Sequence, residues 1–530
     1  MTAVGVGLAV IGSVLPSAAT RVVGGNRPVD AEAADRTRFV ANNSPALARN
    51  PRRPANLAVA NRIDKPAFSC ALHVSHDDGV SWRRTAVPFP EGEEEPPRCY
   101  APDVAFGADG VMFVSFVTLK GLGNVPNAAW LVSSTDDGRT LSRPRRLLGP
   151  LAFQVRMVAD PRVPGRLYLS WLQAEATATL AFPEPGNPIR FTRSDDGGTT
   201  WTEPVTVSAP ARQRVVAPSA AVGAGNEVFI LYLDIGADSL DYHGAHGGRG
   251  GEPYPGSWSL VLARSSDGGS TWNESVVDDQ VVPTRRFVVF LPPFASLAVD
   301  RSSGRVYVGF HDGRLGDSDV WVWVSADGGH SFARPRRVND TPRGDKTSQY
   351  LPRLSVAPDG RLDVVYYDRR ADRDNVLNEV SLQSSSNGGR SFSRRVRLSD
   401  RPFDSRVGFG SEKGLADLGN RLGLESRKRR VVAVWADTRA GTPASSKQDI
   451  ATAAVSFAPG SALRGPLRAA GLALVVAALV VWLRRRVPAR DVEPVPVKTE
   501  TPARVVPAPA GTATPNESEQ ASPDESGTAS

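Results

Sequence analysis

The octapeptide Ser265-Ser266-Asp267-Gly268-Gly269-Ser270-Thr271-Trp272 is one of six copies of a single pattern in this chain. The pattern is Ser, any residue, Asp, any residue, Gly, any residue, Ser or Thr, and an aromatic residue, with Leu141 replacing the aromatic in one copy. The central residues of the copies are Asp77, Asp136, Asp196, Asp267, Asp327 and Asn387. They lie 59, 60, 71, 60 and 60 residues apart. This nearly constant period indicates a repeat architecture.

The chemistry of the octapeptide suits a tight turn between two antiparallel strands. A carboxylate at the third position can accept hydrogen bonds from the N–H groups of its own turn, and glycine can adopt a positive φ. The closing aromatic side chain then packs between neighbouring strands. We therefore expect the six central residues to be structural rather than catalytic or metal-binding.

The octapeptide resembles the Asp-box, or BNR repeat, of the sialidase-like β-propellers. The resemblance implies an all-β propeller, and in that family the boxes lie on the rim opposite the active site. It identifies the expected fold over about 420 residues and leaves the chemistry open.

The strands between the boxes predict four-stranded blades, with strands A, B, C and D running from the centre outward. Seven inner segments are recognisable against six boxes; the first is 44–51 and the last is 414–423. We predict seven blades over 37–457, with the six blades of true sialidases as the alternative. Residues 37–41 are expected to close the ring by pairing with 449–457, which would remove an exposed sheet edge.

The two ends of the chain carry apolar segments. Residues 1–19 resemble a signal peptide without a basic start, with an uncleaved anchor as the alternative. Residues 20–36 and 458–468 are predicted linkers. The uncharged run 469–483 predicts a transmembrane helix, with a buried core helix as the alternative. The arginines after it place the low-complexity tail, 484–530, in the cytoplasm and the propeller outside a cell membrane.

Charge and cysteine content narrow the function classes further. The 63 basic and 56 acidic residues give a net charge of +7, and several of the arginines flank the apolar run, so we do not predict nucleic-acid binding. Cys70 and Cys99 are the two cysteines of the chain, and both are expected at the same rim. An exported propeller would allow a disulfide between them.

Candidate ligand-binding residues follow from the loops predicted at the rim opposite the boxes. The ends of three B strands repeat an Asp-x-Arg pattern, and connections before the A strands add a tyrosine and a glutamate. The candidates are Asp312, Arg314, Asp368, Arg370, Asp437, Arg439, Tyr350 and Glu412. Arginine binds carboxylate with two parallel hydrogen bonds, which suits a carboxylated or polyhydroxylated ligand. The alternative is that each Asp-x-Arg pair joins adjacent blades.

The family resemblance implies a catalytic set that this sequence does not clearly contain. Sialidases use three arginines, a tyrosine nucleophile with a glutamate, and an aspartate; the nearest match to their first Arg-Ile-Pro motif is Arg62-Ile63-Asp64, which lacks the proline. No catalytic residue is assigned. His243 and His246, in the glycine-rich insertion 234–256, lack further ligands at metal-site spacing, so neither a metal nor a cofactor is expected.

We therefore expect the propeller to bind a glycan or a cell-envelope or surface protein through the rim opposite the boxes. The alternative is an exo-sialidase or related glycoside hydrolase. The sequence does not indicate an oligomeric state.

Overall fold

The computed structural model describes residues 20–30, 39–93, 97–175, 186–238, 253–284, 294–407, 418–442, 444–457 and 464–486. Its strands form seven antiparallel sheets, which are the blades of a β-propeller. In each blade, strands A to D follow one another from the inner to the outer edge. The inner A strands contact one another in sequence around the ring, and blade 7 contacts blade 1. Seven four-stranded blades confirm the predicted fold class.

The strands of the first four blades run in chain order. Blade 1 contains β2 (Asn42–Arg49), β3 (Leu57–Ile63), β4 (Ser69–Ser75) and β5 (Arg83–Thr85). Blade 2 contains β6 (Cys99–Phe106), β7 (Met112–Lys120), β8 (Val125–Ser134) and β9 (Arg145–Leu148). Blade 3 contains β10 (Ala152–Ala159), β11 (Leu167–Gln173), β12 (Ile189–Ser194) and β13 (Val205–Thr206). Blade 4 contains β14 (Val215–Val222), β15 (Val228–Asp234), β16 (Trp258–Ser265) and β17 (Asn273–Val281).

The remaining blades use the rest of the chain and its N-terminal strand. Blade 5 contains β18 (Ser296–Asp300), β19 (Arg305–Asp312), β20 (Asp319–Ser325) and β21 (Arg336–Arg337). Blade 6 contains β22 (Gln349–Val356), β23 (Leu362–Asp368), β24 (Leu377–Ser385) and β25 (Val396–Arg397), with the short β26 (Phe403–Asp404) also paired to β24. Blade 7 contains β27 (Gly423–Arg427), β28 (Arg430–Asp437), β29 (Asp449–Phe457) and β1 (Thr20–Pro28).

The B strands are apolar on both faces because each blade packs between two others. In β28, with sequence RVVAVWAD, every residue after Arg430 is buried. The largest hydrophobic cluster accordingly runs without a break through blades 3, 4 and 5. The β-branched and aromatic residues that favour strands therefore also fill the spaces between the blades.

The Asp-boxes form the expected turns. In the fourth box, the hydroxyl of Thr271 and the hydroxyl of Ser265 donate to the carboxylate of Asp267 at 2.7 Å each. The backbone N–H groups of Ser270 and Thr271 donate to Asp267 Oδ1 at 2.9 and 3.0 Å. Gly269 has φ +100°, and an added Cβ would lie 1.9 Å from the ring of Phe191 in blade 3. The ring of Trp272 packs edge-on against Phe191 at 5.0 Å, so the box also joins two blades.

Closure of the ring differs from the prediction in the segment that provides it. The outer strand of blade 7 is β1, and Thr20 pairs with Phe457 while Pro28 pairs with Ala451. The proposed pairing of 37–41 with β29 is therefore wrong, and 20–28 is a strand rather than part of a linker. Residues 31–38 lie outside the described part of the chain; Ala41 forms an isolated bridge with Gln448. The sequence TRVVGGNRP conceals the strand because two glycines interrupt it at a bulge.

The last inner strand is also displaced from its prediction. Blade 7 begins with β27 (Gly423–Arg427), which replaces the predicted inner segment 414–423. The disulfide between Cys70 and Cys99 is present and joins β4 of blade 1 to the first residue of β6 in blade 2.

The C-terminal helix α1 (Arg464–Arg486) lies almost entirely in a unit separate from the propeller. Over the portion of the chain that the structure describes, no helix combines the length and the apolar character needed to cross a bilayer. Residues 1–19, 458–463 and 487–530 lie outside the described residues, as do the two histidines of the insertion.

Candidate functional site

The Asp-x-Arg pairs form ion pairs at the interfaces between blades. Arg314 donates to both carboxylate oxygens of Asp312 and to Asp278 of blade 4, each at 2.8 Å. The rings of Trp321 and Trp323 lie 5.3 and 5.5 Å from its guanidinium carbon. Burial lowers the pKa of Arg314, but the hydrogen bonds to Asp312 and Asp278 outweigh burial and raise the pKa above its ordinary value.

The other two pairs repeat this arrangement. Arg370 donates to Asp368 at 2.7 Å and to Asp340 of blade 5 at 2.5 Å. Arg439 donates to Asp437, and its guanidinium lies 3.9 Å from Asp400, which follows the outer strand of blade 6. In each pair the arginine therefore also contacts a carboxylate of the adjacent blade.

The remaining two candidates have different outcomes. The side chain of Tyr350 is buried, and its hydroxyl donates to Asn378 Oδ1 at 2.8 Å. Burial raises the pKa of this tyrosine above its ordinary value. Glu412 lies outside the described residues. None of the described candidates lines the pocket at the mouth of the propeller axis.

That mouth pocket is formed at the rim opposite the boxes and has a volume of about 10 Å³, which is room for about one water-sized group. Its walls come from the starts of A strands and from the end of one B strand. The lining residues are Ser44, Arg62, Tyr100, Ala101, Gln154, Val155, Arg156, Phe294, Asn420 and Arg421. Guanidinium groups and aromatic rings thus line a narrow space that is much smaller than a pocket enclosing a whole ligand.

The pocket is shaped by a bulge that recurs in the inner strands. The register of strand A shifts at the same place in blades 1, 2, 3, 4 and 6. One residue of each bulge has a positive φ of 51° to 58°: Ser44, Ala101, Gln154, Ala217 and Leu351. A non-glycine residue in this conformation costs on the order of 1 kcal/mol. Bulges re-aim side chains, and three of the five bulge residues line the pocket.

Three arginines line the pocket, and two carboxylates lie beside them. Arg156 Nη1 lies 3.4 Å and Arg421 Nη1 lies 3.9 Å from opposite oxygens of the buried Asp103. Arg62 forms an ion pair with the buried Asp64 at 2.6 Å, and its guanidinium lies 5.5 Å from the ring of Tyr100. The three cations are therefore opposed by two anions, which leaves the pocket with a surplus of positive charge.

One buried donor of the pocket, Gln154 Nε2, lacks a hydrogen-bond acceptor in the protein. Arg156 Nη1 has the ion pair with Asp103 at 3.4 Å but forms no hydrogen bond. The amide of Gln154 is held in one orientation because its Oε1 accepts a hydrogen bond from the N–H of Ala217 at 2.7 Å. An unmet buried donor costs about 1–3 kcal/mol, so the Gln154 amide in a pocket with surplus positive charge favours a ligand that supplies acceptors.

Further charged groups lie along the inner strands below the pocket. Burial, followed by repulsion from Arg156, lowers the pKa of Arg353, while Asp103 and Glu425 oppose this change. Burial raises the pKa of Glu425 to about 7, although Arg49, Arg353 and Arg301 act to lower it. The inner strands thus hold a carboxyl group that is partly protonated near neutral pH.

A tyrosine–glutamate contact is present, but away from the pocket. The hydroxyl of Tyr232 donates to Glu274, and Arg212 donates to both Glu274 and Asp234 at 2.9 Å. Tyr232 is completely buried, and burial followed by Glu274 raises its pKa far above the ordinary value. A nucleophile requires access to substrate and an accessible anionic form, so this contact is structural.

Comparison with known proteins gives a likeness of fold. No family model matches the chain, and no curated protein matches its sequence significantly. Similar solved structures include a protein of unknown function from Dyadobacter fermentans, with 16% identity, a TM-score of 0.45, and coverage of 83% of this chain and 99% of that one. They also include the Hadza microbial sialidase Hz136, with 13% identity, a TM-score of 0.40, and coverage of 76% and 73%.

An α-L-arabinofuranosidase of Fusarium graminearum is similar at 15% identity and a TM-score of 0.41, over 69% of this chain and 95% of that one. The solved structures similar to this chain thus include sialidases and an α-L-arabinofuranosidase.

The sequence interpretation found some residues of the pocket and missed others. It singled out Arg62, but not Gln154, Arg156 or Arg421. A usable signal was present, because Asp103, Arg156 and Arg353 are charged residues two positions after the bulge in inner strands that are otherwise mostly apolar. Recognising that signal requires the bulge position, which is a feature of the backbone.

Proposed function

We propose that the mouth pocket binds the carboxylate of an acidic sugar unit of a glycan, with the sugar ring outside the pocket. The observation that carries the proposal is the buried donor Gln154 Nε2, which lines the pocket without an acceptor in the protein, together with the arginines of the same lining. A carboxylate offers two acceptor oxygens and a negative charge, and arginine binds it with a planar fork of donors. The rings of Tyr100 and Phe294 add apolar wall against which a sugar face can rest.

The test is calorimetric titration of the full-length protein with N-acetylneuraminate and with glucuronate, using galactose as the neutral control. We expect the acidic sugars to bind and galactose not to bind. Gln154→Ala and Arg156→Ala should each weaken binding at least tenfold. The Gln154 change suits the backbone, because blades 2 and 4 carry Ala101 and Ala217 in the same conformation.

The matched control is Arg373→Ala, an exposed arginine in a loop of the same rim that does not line the pocket. Its affinity should equal that of the unmodified protein. Equal affinity of all variants, or equal binding of galactose, would contradict the proposal. If no sugar binds but a cell-envelope protein does, the rim binds a protein partner instead.

Hydrolysis is the alternative, and one observation favours it. Glu425 has a pKa of about 7, which suits a general acid or base at neutral pH. Fluorogenic sialosides and arabinofuranosides test this alternative. Turnover should then disappear in Arg156→Ala and Glu425→Gln while both variants keep their folded near-ultraviolet spectrum. That result would show that the protein is a hydrolase and not only a binding protein.

We also propose that the chain is attached to a membrane, with the propeller outside the cell. The support is α1, in which Leu472, Val476, Leu479 and Leu483 are each more than half exposed. The transmembrane span expected at 469–483 and the cytoplasmic tail remain predictions. Alkaline extraction of membranes followed by protease treatment of intact cells tests them; release of the chain by alkali would contradict the attachment.

A further inference from the structure

The Asp-box rim carries an uneven distribution of positive charge. Blades 5, 6, 7, 1 and 2 each present at least two exposed basic side chains there, among them Arg336, Arg394, Lys428, Arg52, Arg83 and Arg143. These five blades are consecutive around the ring because blade 7 contacts blade 1. We call this continuous surface the basic arc.

The carboxylates of the basic arc neutralise little of this charge. The box aspartates have their oxygens engaged by their own turns, as Asp136 does with Ser134 and Thr140. Asp78 is held between Arg49 and Arg430 at 2.6 and 2.8 Å. Outside the boxes, the exposed carboxylates among the described residues of the arc are Asp109 and Asp359.

Blades 3 and 4 complete the rim with balanced charge. Arg166 and Arg193 both pair with Asp195, and Arg264 pairs with Glu227 at 3.1 Å. Glu203 is exposed beside them. The positive charge of the rim is therefore confined to one side of the ring.

Blade 7 stands at the centre of the arc, and it is where the chain enters and leaves the propeller. Strands C and D of the other six blades are joined by an Asp-box, whereas in blade 7 the two strands are β29 and β1. Thr20 and Phe457 are paired residues at the rim, so the chain enters and leaves the propeller at this point. Residues 1–19 precede it, and α1 begins at Arg464.

We propose that the basic arc is a docking surface for anionic lipid headgroups, with the mouth pocket on the opposite rim. The proposal rests on the membrane attachment proposed above and is independent of the ligand in the pocket. Basic side chains close to an anionic leaflet are attracted to it, and the attraction is screened by salt within about one Debye length. The chain also leaves the propeller at the rim that carries the arc, because Phe457 ends there beside Thr20.

The experiment uses the full-length chain in nanodiscs of phosphatidylcholine alone and of phosphatidylcholine with 30% phosphatidylglycerol. Hydrogen exchange is measured on peptides covering 139–146 in the arc and 196–203 in blade 3. We expect exchange of the arc peptide to slow at least threefold in the anionic discs only, and to recover in 0.5 M NaCl. The blade 3 peptide should be unaffected.

Charge reversal separates docking from general electrostatics. Arg143→Glu with Arg146→Glu should abolish the protection, whereas Arg343→Glu with Arg373→Glu, two exposed arginines of the opposite rim, should leave it intact. Equal protection in neutral discs, or protection of the opposite rim, would overturn the proposal. So would protection by a 20-base-pair DNA without any from anionic discs. A chain that enters neither disc would overturn the attachment and the docking together.

Discussion

The hydrogen bonds to the carboxylate of an Asp-box aspartate come from within its own eight residues. Thr271 and Ser265 donate hydroxyl hydrogen bonds to Asp267, and backbone N–H groups supply the rest. The last box shows which part of this chemistry is essential, because Asn387 keeps the acceptor oxygen and bonds Ser391 through its amide nitrogen. The acceptor geometry therefore matters more than the negative charge.

Substitution of Asp267 tests this reading. Asp267→Ala should lower the free energy of unfolding by about 1–2 kcal/mol, towards the low end because the turn is exposed to water. Asp267→Asn should cost about half as much, since it reproduces the sixth box. Urea unfolding at pH 7 measures both; equal losses for the two variants would show that the charge is required.

Acid should weaken the same turns. The Thr271 hydroxyl, then its backbone N–H and the Ser265 hydroxyl, hold the pKa of Asp267 below its ordinary value. A carboxyl with a lowered folded-state pKa stabilises the fold above the unfolded pKa of about 3.9, and that contribution disappears as the pH falls towards the folded value. The unfolding free energy of Asp267→Asn should consequently depend less steeply on pH between 5 and 2.

Arg314 illustrates a residue whose removal affects stability rather than binding. Asp312 is completely buried, and Arg314→Ala leaves it without its charged partner. The expected loss is about 3 kcal/mol or more. Arg406→Ala is the control, because the Arg406 side chain is 68% exposed beside Asp404 and should contribute less than about 1 kcal/mol. Affinity for acidic sugars should not change in either variant that folds.

These residues also show what the sequence was able to predict. The Asp-boxes were predictable because their hydrogen bonds join residues at most four positions apart. The Asp-x-Arg pattern was visible, but its partners Asp278, Asp340 and Asp400 come from other blades. The mouth pocket depends on Arg62, Arg156 and Arg421 meeting across three blades, and no local pattern encodes that meeting.

At the scale of elements, blade 7 depends on a strand taken from the other end of the chain. Strand β1 pairs with β29, and Asn26 exchanges hydrogen bonds with Asp400 of blade 6 at 2.7 and 3.0 Å. Val29, directly after β1, is 2% exposed in the cluster shared by blades 7 and 1. The sequence period predicted that an N-terminal segment closes the ring. It did not identify β1 as that segment, because the glycines at the bulge interrupt the strand pattern.

Two truncations locate the closing strand. Removal of residues 2–19 should leave the melting temperature unchanged, because the propeller begins at Thr20. Removal of residues 2–29 should cost more than about 3 kcal/mol, from burial of Val29 and the lost strand pairing. Calorimetry compares the two proteins. Equal melting temperatures would show that β1 contributes nothing to closure.

At the scale of the whole molecule, the two rims have different compositions and different proposed partners. The mouth rim gathers buried arginines from separate blades around a small pocket, and the box rim spreads exposed basic side chains over five blades. Blade count and rim assignment followed from the sequence period. The restriction of the positive charge to one side of the ring did not follow from the period, because the blade at the centre of the basic arc is assembled from both ends of the chain.

The pairing of Thr20 with Phe457 makes the starting point of the chain arbitrary. In the other six blades an Asp-box joins strands C and D at this position. One eight-residue Asp-box inserted between 457 and 20 would therefore make the polypeptide circular. Such a circle can be reopened at another box. A permuted protein that starts at Thr199 and ends at Gly198 should fold with the same Cys70–Cys99 disulfide and a similar melting temperature. A permutant that fails to fold would show that the order in which the blades are made matters as well as their arrangement.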